Sequence, residues 1–583
     1  MGKIIGNIGR NSTDGEKVVY RRLLEIYTGD PDVYVYYEPL IGQEKPDFVL
    51  FGPDFGIVII EVKDYDERLL CAVPPNGPWY KNNGNGEEPL NNPFDQVYQY
   101  WRTIIDRLGI KEITRIVVLS QVSEKSDRGL HIKTHKPARV ELFFKEDIAR
   151  VNTFQKRLKS TIPSGLDIQV DRMKLFRGNL IPTCRLPTYR QTRLFENTVY
   201  EFDELELMDK EQEKIAHNLS AGHRLFFGVA GSGKTVILIA RARYLALKNK
   251  ERRILVLCYN KNLAKSIMRK LNPQDYEADI IVINYHKWAK DIIYGAGNPY
   301  DLEYTKQLEN YKAKGQMDEF FSKRVPELLD KVVEENSIPK YDAILIDEAQ
   351  DFEASWFKPV VKLLNPETDS LLITCDGLQG IYARKKFYWK DVGVQAVGRV
   401  HRLTKSYRNP EKIGKMAKLV LPQDLLEKIQ TDDEILPTEQ FARKGGLVEV
   451  ELLESREKEY EYMVEKIKEF EEKSMSIIVV FRRNMEKIHY KHPFFDQLVE
   501  KGINWVDLNE WGQRTMGILV GTLHGTKGLE ADAVFIPELD MYHTPEDRQL
   551  LYVGMTRALK CLILTSAAST KFVKFLHKVH DRL

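Results

Sequence analysis

The chain has 583 residues, of which 43% are hydrophobic and 30% are charged, and its 87 basic and 85 acidic side chains give a net charge of +2. This length is too great for one hydrophobic core, and the composition excludes a disordered or fibrous protein. A balanced total charge neither favours nor excludes nucleic acid, because basic patches can form locally.

Five scattered cysteines form no CxxC pair and no even framework, which argues against structural disulfides and a zinc site. The first residues, MGKIIGNIGRNST, lack the apolar region of a signal peptide. No apolar run approaches the length that spans a membrane. We therefore expect a cytoplasmic protein with no membrane partner.

The N-terminal part mixes helical and strand patterns. Apolar spacing predicts helices over 12–28 and 93–108. Strands are predicted at 33–37, 47–51, 57–62 and 115–120. The Gly-, Asn- and Pro-rich stretch 74–93 predicts a loop, and the aperiodic stretch 176–199 predicts a connector between domains.

The hairpin PDFVLFGPDFGIVIIEVK (46–63) carries charges where a buried hairpin needs none. Asp47 opens its first strand, and Glu61 and Lys63 close its second. Two carboxylates at adjacent strand ends can hold Mg²⁺ or Mn²⁺, and Lys63 points to the same strand face as Glu61. Such a site suits cleavage of a phosphate ester, although the pattern alone also fits a hairpin with solvated ends.

Beyond residue 200 short β-branched runs alternate with helical patterns, which predicts parallel α/β sheets. The stretch GVAGSGKT (228–235) lies between a predicted strand and a predicted helix, as a phosphate-binding loop does. Its backbone N–H groups and the helix N-terminus favour phosphate. The candidate ATP-binding residues are Gly228, Gly231, Ser232, Gly233, Lys234 and Thr235, with Thr235 also expected on Mg²⁺.

A second nucleotide signal is the apolar strand of YDAILIDEAQD (341–351), which ends in two acids. Acids at the carboxyl end of a central parallel strand face the nucleotide crevice. Asp347 is expected to hold Mg²⁺, and Glu348 to activate the attacking water.

The stretch DEAQD resembles the Walker B motif of superfamily 1 helicases of the UvrD/Rep type. The other segments that resemble motifs of this family, in the family's order, are DKEQEKIAHNL (209–219), LCYNKNLA (257–264), INYHKW (283–288), TCDGLQGIY (374–382), LTKSYRNP (403–410), GTLHGTKGLEADAVFIP (521–537) and LLYVGMTRALK (550–560). The resemblance implies an ATP-driven DNA motor that moves 3′ to 5′ on single-stranded DNA.

The resemblance also implies roles for single residues. At ATP it places Gln212 on the adenine, Gln379 near the γ-phosphate, Arg408 on a phosphate, Glu530 on the ribose and Arg557 as the arginine finger. On nucleic acid it places Tyr259, Asn260, Tyr285, His286, Tyr382, Thr522 and His524. The tyrosines also fit core positions, since most aromatic side chains are buried.

Two RecA-like lobes are expected, the first (1A) over 200–394 with a short 1B insertion near 287–340, and the second (2A) over 395–583. The short gap between Arg408 and Thr522 implies that the family's 2B insertion is reduced or absent, which weakens the case for strand separation more than for translocation. The family usually has an aromatic residue where Cys258 stands.

Asp47 followed after 13 residues by Glu61-Val62-Lys63 has the form of the PD-(D/E)xK nuclease motif. Glu16 on the first helix resembles the third acid of such folds, and Gln96 with Tyr100 resembles the QxxxY element of RecB-like nucleases. Together residues 10–150 resemble the nuclease-related domain, NERD, which is found fused to helicases of this type.

The sequence therefore predicts an α/β protein in which a PD-(D/E)xK-like nuclease domain (1–175) and a connector (176–199) precede two RecA-like lobes. The predicted function is a nuclease–helicase that uses ATP and Mg²⁺, acts on DNA and serves bacterial repair or anti-phage defence. The alternatives are a motor whose N-terminal domain only binds DNA or a partner, an RNA-directed helicase, and a nucleotide-regulated switch in a larger complex. No sequence signal addresses the oligomeric state.

Overall fold

The structure is a computed structural model of the chain. It describes residues 4–9, 12–41, 44–75, 77–84, 86–108, 113–181, 185–186, 206–207, 212–213, 215–216, 219, 221–379, 387–422, 425, 427, 436–438, 440–482, 492–508 and 517–582. The chain divides into two compact units, one of Met1–Thr188 with Glu204–Leu219 and one of Tyr189–Asp203 with Ser220–Leu583.

The first unit is built on a six-stranded mixed sheet in the order β1-β2-β3-β4-β8-β9. Its strands in chain order are β1 (Ile4–Ile5), β2 (Tyr34–Tyr37), β3 (Phe48–Gly52), β4 (Gly56–Lys63), β5 (Leu70–Ala72), β6 (Trp79–Asn82), β7 (Glu87–Leu90), β8 (Ile113–Leu119), β9 (Val140–Phe144), β10 (Arg185–Leu186) and β11 (Glu206–Leu207). Strands β2, β3 and β4 are antiparallel neighbours, whereas β4, β8 and β9 run parallel. The predicted strands of this part are confirmed.

Helices cover the sheet of the first unit. They span Asp14–Tyr27, Pro93–Leu108, Asp127–His135, Lys145–Ile148, Val151–Thr161 and Val170–Leu180. The first is capped by Thr13, which accepts a hydrogen bond from the Glu16 N–H, and it buries Val19 and Leu23. These apolar side chains pack with Val58 of the central strand, so the core fixes the hairpin that carries the predicted acids.

The loop predicted over 74–93 is wrong in part, because β6 and β7 lie within it and form a three-stranded antiparallel sheet with β5. Trp79 is fully buried there and packs edge-on against Phe94. Burial of one large ring organises a segment whose turn residues hide its strands from a sequence pattern.

The predicted connector begins inside a helix, since Val170–Leu180 continues through residue 176. Strands β10 and β11 pair antiparallel with each other within the first unit. The rest of the predicted connector, apart from residue 181, lies outside the described residues.

The second unit contains two six-stranded parallel sheets. Its strands are β12 (Gly222–Gly228), β13 (Arg253–Cys258), β14 (Asp279–Asn284), β15 (Ala343–Asp347), β16 (Ser370–Cys375), β17 (Val400–Leu403), β18 (Lys405–Pro410), β19 (Gln440–Arg443), β20 (Leu447–Leu452), β21 (Ile477–Phe481), β22 (Trp505–Asp507), β23 (Ile518–Thr522), β24 (Ala531–Ile536) and β25 (Ala558–Ser566). The sheet orders are β14-β13-β15-β16-β12-β17 and β20-β25-β24-β21-β23-β22. The predicted parallel α/β class is confirmed.

Helices flank both sheets. They span Lys234–Lys248, Lys261–Leu271, Tyr285–Gly295, Tyr300–Ala313, Met317–Glu319, Val325–Glu335, Ala354–Lys362, Glu411–Val420, Arg456–Glu472, Pro493–Glu500, Pro545–Met555 and Lys571–His580. The predicted insertion near 287–340 is helical, and its Phe320 and Leu329 join the core of the first lobe.

The segment between Arg408 and Thr522 supplies β20, β21 and β22 to the second parallel sheet. Its described residues thus extend the lobe itself, while the reduced 2B insertion stays a prediction. Among all the described helices, none combines the length and apolar character that crossing a membrane requires.

Candidate functional site

The first candidate site lies at the open end of the hairpin formed by β3 and β4. Phe48 pairs with Ile60, which sets Asp47 beside Glu61 across the ladder. Asp47 Oδ2 accepts a hydrogen bond of 2.7 Å from the backbone N–H of Val62. The two predicted carboxylates therefore meet at one end of the hairpin.

Lys63 joins this pair. Its Nζ lies 2.7 Å from Glu61 Oε1, and the Glu61 side chain is only 2% exposed. Burial raises the pKa of Glu61, and the charge of Lys63 opposes that rise. Burial and the nearby charge of Glu61 raise the pKa of Asp47 well above its usual range. The site thus holds two acids whose joint ionisation is costly unless a further cation joins Lys63.

The helix Pro93–Leu108 faces this end of the hairpin with Tyr100. Burial raises the pKa of the Tyr100 hydroxyl, and the charges of Glu61 and Asp47 add to the rise. Gln96, one turn earlier, has a buried Oε1 that finds no hydrogen-bond partner among the described residues.

The donor set fits a hard divalent cation. Glu61 Oε2 is buried and, within the described part of the chain, accepts no hydrogen bond. Mg²⁺ and Mn²⁺ bind carboxylate and amide oxygens, and a buried oxygen without a partner is otherwise costly. Asp47 and Glu61 are the residues that would hold such an ion.

The structure does not bring Glu16 into this pair as a third ligand. The Tyr37 hydroxyl on β2 donates a hydrogen bond of 2.6 Å to Glu16 Oε2, which ties this carboxylate to Tyr37. The charge of Glu16 also raises the pKa of Asp47, after the larger effects of burial and of the charge of Glu61. No cluster of three or more His, Cys, Asp or Glu side chains suited to a metal occurs among the described residues.

The second candidate site is the phosphate-binding loop of the second unit, between β12 and the helix Lys234–Lys248. Gly231 and Gly233 adopt φ values of +72° and +87°, which favour glycine. Lys234 Nζ donates to the carbonyls of Gly228 and Val229 at 2.7 and 3.0 Å. The cation also lies 3.1 Å from Asp376 Oδ2, a partner that the sequence did not identify.

Thr235 and Asp347, predicted to share Mg²⁺, are in direct contact. Thr235 Oγ1 donates a hydrogen bond of 2.7 Å to Asp347 Oδ2, and Thr374 donates to the other oxygen. Burial and the charge of Glu348 raise the pKa of Asp347. Asp347 is fully buried at the end of β15, as predicted for a carboxylate facing the nucleotide crevice.

Glu348 follows in a left-handed conformation with φ of +53°. Burial alone would raise the pKa of Glu348, but the charges of Lys527, Lys234 and Arg557 outweigh it and lower that pKa. An ionised carboxylate at this point is the state that a general base requires. A strained, buried acid at the end of a strand is also a frequent feature of active sites.

The two lobes of the second unit meet at the loop. The Tyr407 N–H donates to the Gly231 carbonyl at 2.8 Å. Arg408 Nε lies 3.0 Å from Glu530 Oε2, and Lys270 Nζ lies 3.2 Å from Glu530 Oε1. Arg408, expected on a phosphate, and Glu530, expected on the ribose, therefore form an ion pair with each other in this structure. Their roles at ATP stay predictions.

Arg557, the expected arginine finger, is 1% exposed, and its Nε donates to the Val553 carbonyl at 3.1 Å. Burial lowers its pKa to about 10, which leaves the guanidinium charged at neutral pH. Its charge reaches Glu348, so the structure brings both residues to the same crevice.

Lys527 and Asp351 form an ion pair between the lobes, with side chains 3% and 1% exposed. Sequence reasoning missed this pair, although both residues lie inside motifs quoted for other members. The sequence offers no signal for it, because a pattern along one segment does not identify a partner on a distant segment.

The residues predicted to contact nucleic acid divide into several groups. Tyr285 is fully buried and stacks on Trp356 with ring centroids 4.3 Å apart, so the stacking role does not fit this structure. Tyr259 and His286 are partly exposed around the same Trp356 ring and stay candidates. The sequence does not distinguish Tyr259 from Tyr285. Tertiary packing does, because it buries Tyr285 and leaves Tyr259 partly exposed.

Two other residues predicted to contact nucleic acid, Asn260 and Thr522, accept hydrogen bonds from nearby backbone N–H groups. Asn260 caps the helix Lys261–Leu271 through a 2.7 Å bond from the Asn262 N–H, and Thr522 accepts from the Gly525 N–H at 3.4 Å. His524 is exposed. Tyr382 lies outside the described residues.

The two glutamines expected at the ATP site belong to different units. Gln379 ends the short helical turn Gly377–Gln379 after β16. Gln212 is buried and belongs to the first unit. The single O–H of Tyr36 donates to the carboxylate of Glu213, the residue after Gln212, and the two carboxylate oxygens lie 2.9 and 3.0 Å from the hydroxyl oxygen. The segment with the predicted adenine reader is thus anchored on β2.

Comparison with known families finds three matches along the chain. The nuclease-related domain, NERD, matches residues 12–120, an AAA domain matches 211–385, and the UvrD-like helicase C-terminal domain matches 517–565. Among solved structures, the chain is similar to the C-terminal domain of a possible DNA helicase from Lactobacillus plantarum WCFS1, with 19% identity, a TM-score of 0.24, and coverage of 30% of this chain and 96% of that one. No curated protein matches.

Proposed function

Because the chain joins a NERD nuclease-related domain to UvrD-like helicase domains, we propose that it is a DNA motor coupled to metal-dependent DNA cleavage. The helicase domains support an ATP-dependent helicase that binds DNA. The proposal adds 3′-to-5′ movement on a single strand, cytoplasmic location, and a role in bacterial repair or anti-phage defence. The sequence-predicted bounds are 1–175 for the nuclease-like domain, 176–199 for the connector, and 200–394 and 395–583 for the lobes. We shift two segments, because Glu204–Leu219 groups with the first unit and β17 pairs with β12 of the first parallel sheet.

The observation that carries the cleavage proposal is the buried pair of Asp47 and Glu61 with the cation of Lys63 on the same strand. An ion held by the two acids would supply charge stabilisation at the scissile phosphate and lower the pKa of a water. Lys63 Nζ is fixed by Glu61, so it can orient that water or stabilise negative charge on the phosphate. The buried strand around Ile60 keeps this geometry rigid.

At the ATP site the chain's own groups divide the work. Lys234 and the loop N–H groups bind phosphate oxygens, and Glu348 accepts the proton of the attacking water. Arg557 is held in the crevice to stabilise charge on the departing phosphoryl group. Thr235 and Asp347 would hold the Mg²⁺ that neutralises the phosphates. Movement of one lobe against the other would then advance the strand.

The proposal is tested with labelled linear and single-stranded DNA incubated with Mg²⁺ or Mn²⁺. The Glu61→Gln variant keeps the side-chain shape but loses the charge, and Glu67→Gln in the same domain is its control. Cutting by the wild type and Glu67→Gln, but not by Glu61→Gln, is expected. Equal cutting by Glu61→Gln would reject this site.

One observation favours a second function, in which the N-terminal domain binds DNA without cutting it. Among the described residues, only the carboxylates of Asp47 and Glu61 meet at the hairpin, and that of Glu16 accepts a hydrogen bond from Tyr37. Under this alternative the wild type hydrolyses ATP on DNA, binds DNA through the first unit, and cuts none of the substrates with either metal.

A further inference from the structure

The helix Pro93–Leu108 has a second face, besides the one that carries Tyr100, on which aromatic and basic side chains lie together. Tyr98, Trp101, Arg102 and Ile105 follow the spacing of one helical stripe and line an open groove of about 450 Å³. Tyr98 is 52% exposed, and its ring lies 5.4 Å from that of Trp101. The exposed Tyr98 ring and the half-buried Trp101 ring therefore lie side by side on a helix face where an amphipathic helix would place polar residues.

A buried arginine lies behind this stripe. Arg115 on β8 is 7% exposed, and its guanidinium carbon lies 4.8 Å from the centre of the Trp101 ring. Its Nε has no hydrogen-bond partner among the described residues. Burial lowers the pKa of Arg115, and the positive charge of Arg139 adds to this effect, which places a second cation close by.

Within the described part of the chain, Arg102, Arg115 and Arg139 take part in no salt bridge. A buried cation without a counter-charge is costly, so this position favours an anionic ligand. Exposed aromatic rings beside arginines match a strand whose bases stack and whose phosphates pair with cations.

We propose that Tyr98, Trp101, Arg102, Arg115 and Arg139, the aromatic–arginine surface, bind single-stranded nucleic acid beside the nuclease site. The inference rests on the proposed function, since the same helix carries Gln96 and Tyr100 on its other face. Bases stack on Tyr98 and Trp101, the exposed Arg102 and Arg139 hold the backbone, and the buried Arg115 adds positive charge behind the Trp101 ring. A strand bound there is kept within reach of the hairpin that carries Asp47 and Glu61.

The first test is photo-crosslinking of the full-length protein to a single strand that contains 5-iodouracil, in EDTA and without ATP. Crosslinks on the peptide that contains Tyr98 and Trp101 are expected. Their absence, with crosslinks confined to the second unit, would overturn the proposal. EDTA removes divalent metal ions, so this assay measures binding without cleavage. A failed nuclease assay therefore does not affect its result.

The second test is binding of a labelled thymidine strand, followed by fluorescence anisotropy in EDTA. Trp101→Ala combined with Tyr98→Ala should weaken binding roughly five-fold or more, since base stacking on aromatics is lost. Trp101→Phe should restore most of the affinity. Arg102→Ala should lower the salt dependence of binding by about one phosphate contact.

Leu130→Ala, at a residue 50% exposed on another helix of the domain, and Arg21→Ala serve as controls. Circular dichroism and thermal melting confirm folding of each variant. Unchanged affinity and salt dependence in the aromatic and Arg102 variants would overturn the proposal and favour a protein partner at this surface.

Discussion

Lys63 Nζ lies 2.7 Å from Glu61 Oε1, two residues apart on one strand, with side chains 16% and 2% exposed. A buried ion pair of this kind gives little net stability, because desolvation offsets the attraction. Its position beside Asp47 therefore indicates chemistry more than folding.

Metal binding is expected to stabilise the first unit. Asp47→Asn keeps an acceptor for the Val62 N–H but removes a charge that burial and Glu61 disfavour. In EDTA this variant should melt at or above the wild-type temperature. Mn²⁺ at a hundred times its dissociation constant should stabilise the wild type by about 2.7 kcal/mol and the variant much less.

Differential scanning calorimetry with and without Mn²⁺ measures this difference. Asp54→Asn, at an exposed position of the same hairpin, is the matched control and should respond to Mn²⁺ like the wild type. Equal stabilisation of Asp47→Asn by Mn²⁺ would show that the ion binds elsewhere.

The ion pair between Lys527 and Asp351 is expected to hold the motor lobes together. Lys527→Met leaves a carboxylate buried without its cation, which costs about 3–5 kcal/mol. Lys458→Met disrupts an exposed pair with Glu461, with side chains 61% and 49% exposed, and should cost about 0–1 kcal/mol. Urea unfolding measures both, and similar losses would contradict a structural role for the buried pair.

Tyr285 is expected to act in the core. No described residue bonds to its buried hydroxyl, so Tyr285→Phe should keep or increase stability. Tyr285→Ala should cost about 3–5 kcal/mol, because the stack on Trp356 leaves a cavity.

DNA-stimulated ATP hydrolysis distinguishes this core role from contact with DNA. Tyr285→Phe should match the wild type, whereas Tyr259→Ala should raise the DNA concentration needed for half-maximal stimulation. A selective loss of DNA response in Tyr285→Phe would restore the stacking assignment.

Much of the fold follows from local pattern. The helix Pro93–Leu108 and the strands next to Asp47 and Lys234 have the predicted places, because their periodicity and their burial agree. Strands β6 and β7 were missed, because Gly and Asn turns surround the few residues that Trp79 organises. Such an element depends on one buried ring and leaves no periodic signal.

The candidate sites likewise contain contacts that the sequence predicts and contacts that it does not. Residues adjacent along the chain, such as Glu61 and Lys63, were predicted as a pair because strand geometry alone places them together. Asp376 beside Lys234, and Asp351 beside Lys527, come from distant segments. Glu16 was predicted by resemblance as the third acid of the nuclease site, but its carboxylate accepts a hydrogen bond from the Tyr37 hydroxyl, and helix spacing does not reveal that contact.

The central claim is that one chain cuts DNA at the hairpin and couples this to its motor. The measurement is cleavage of labelled DNA in Mn²⁺, with and without ATP, by the wild type, Lys63→Ala, Lys234→Ala and the exposed control Lys248→Ala. Lys63→Ala should lose cutting but keep ATP hydrolysis, and Lys234→Ala should lose hydrolysis and the effect of ATP on cutting. A wild type that hydrolyses ATP on DNA yet cuts nothing, or a Lys63→Ala variant that cuts normally, would contradict the claim.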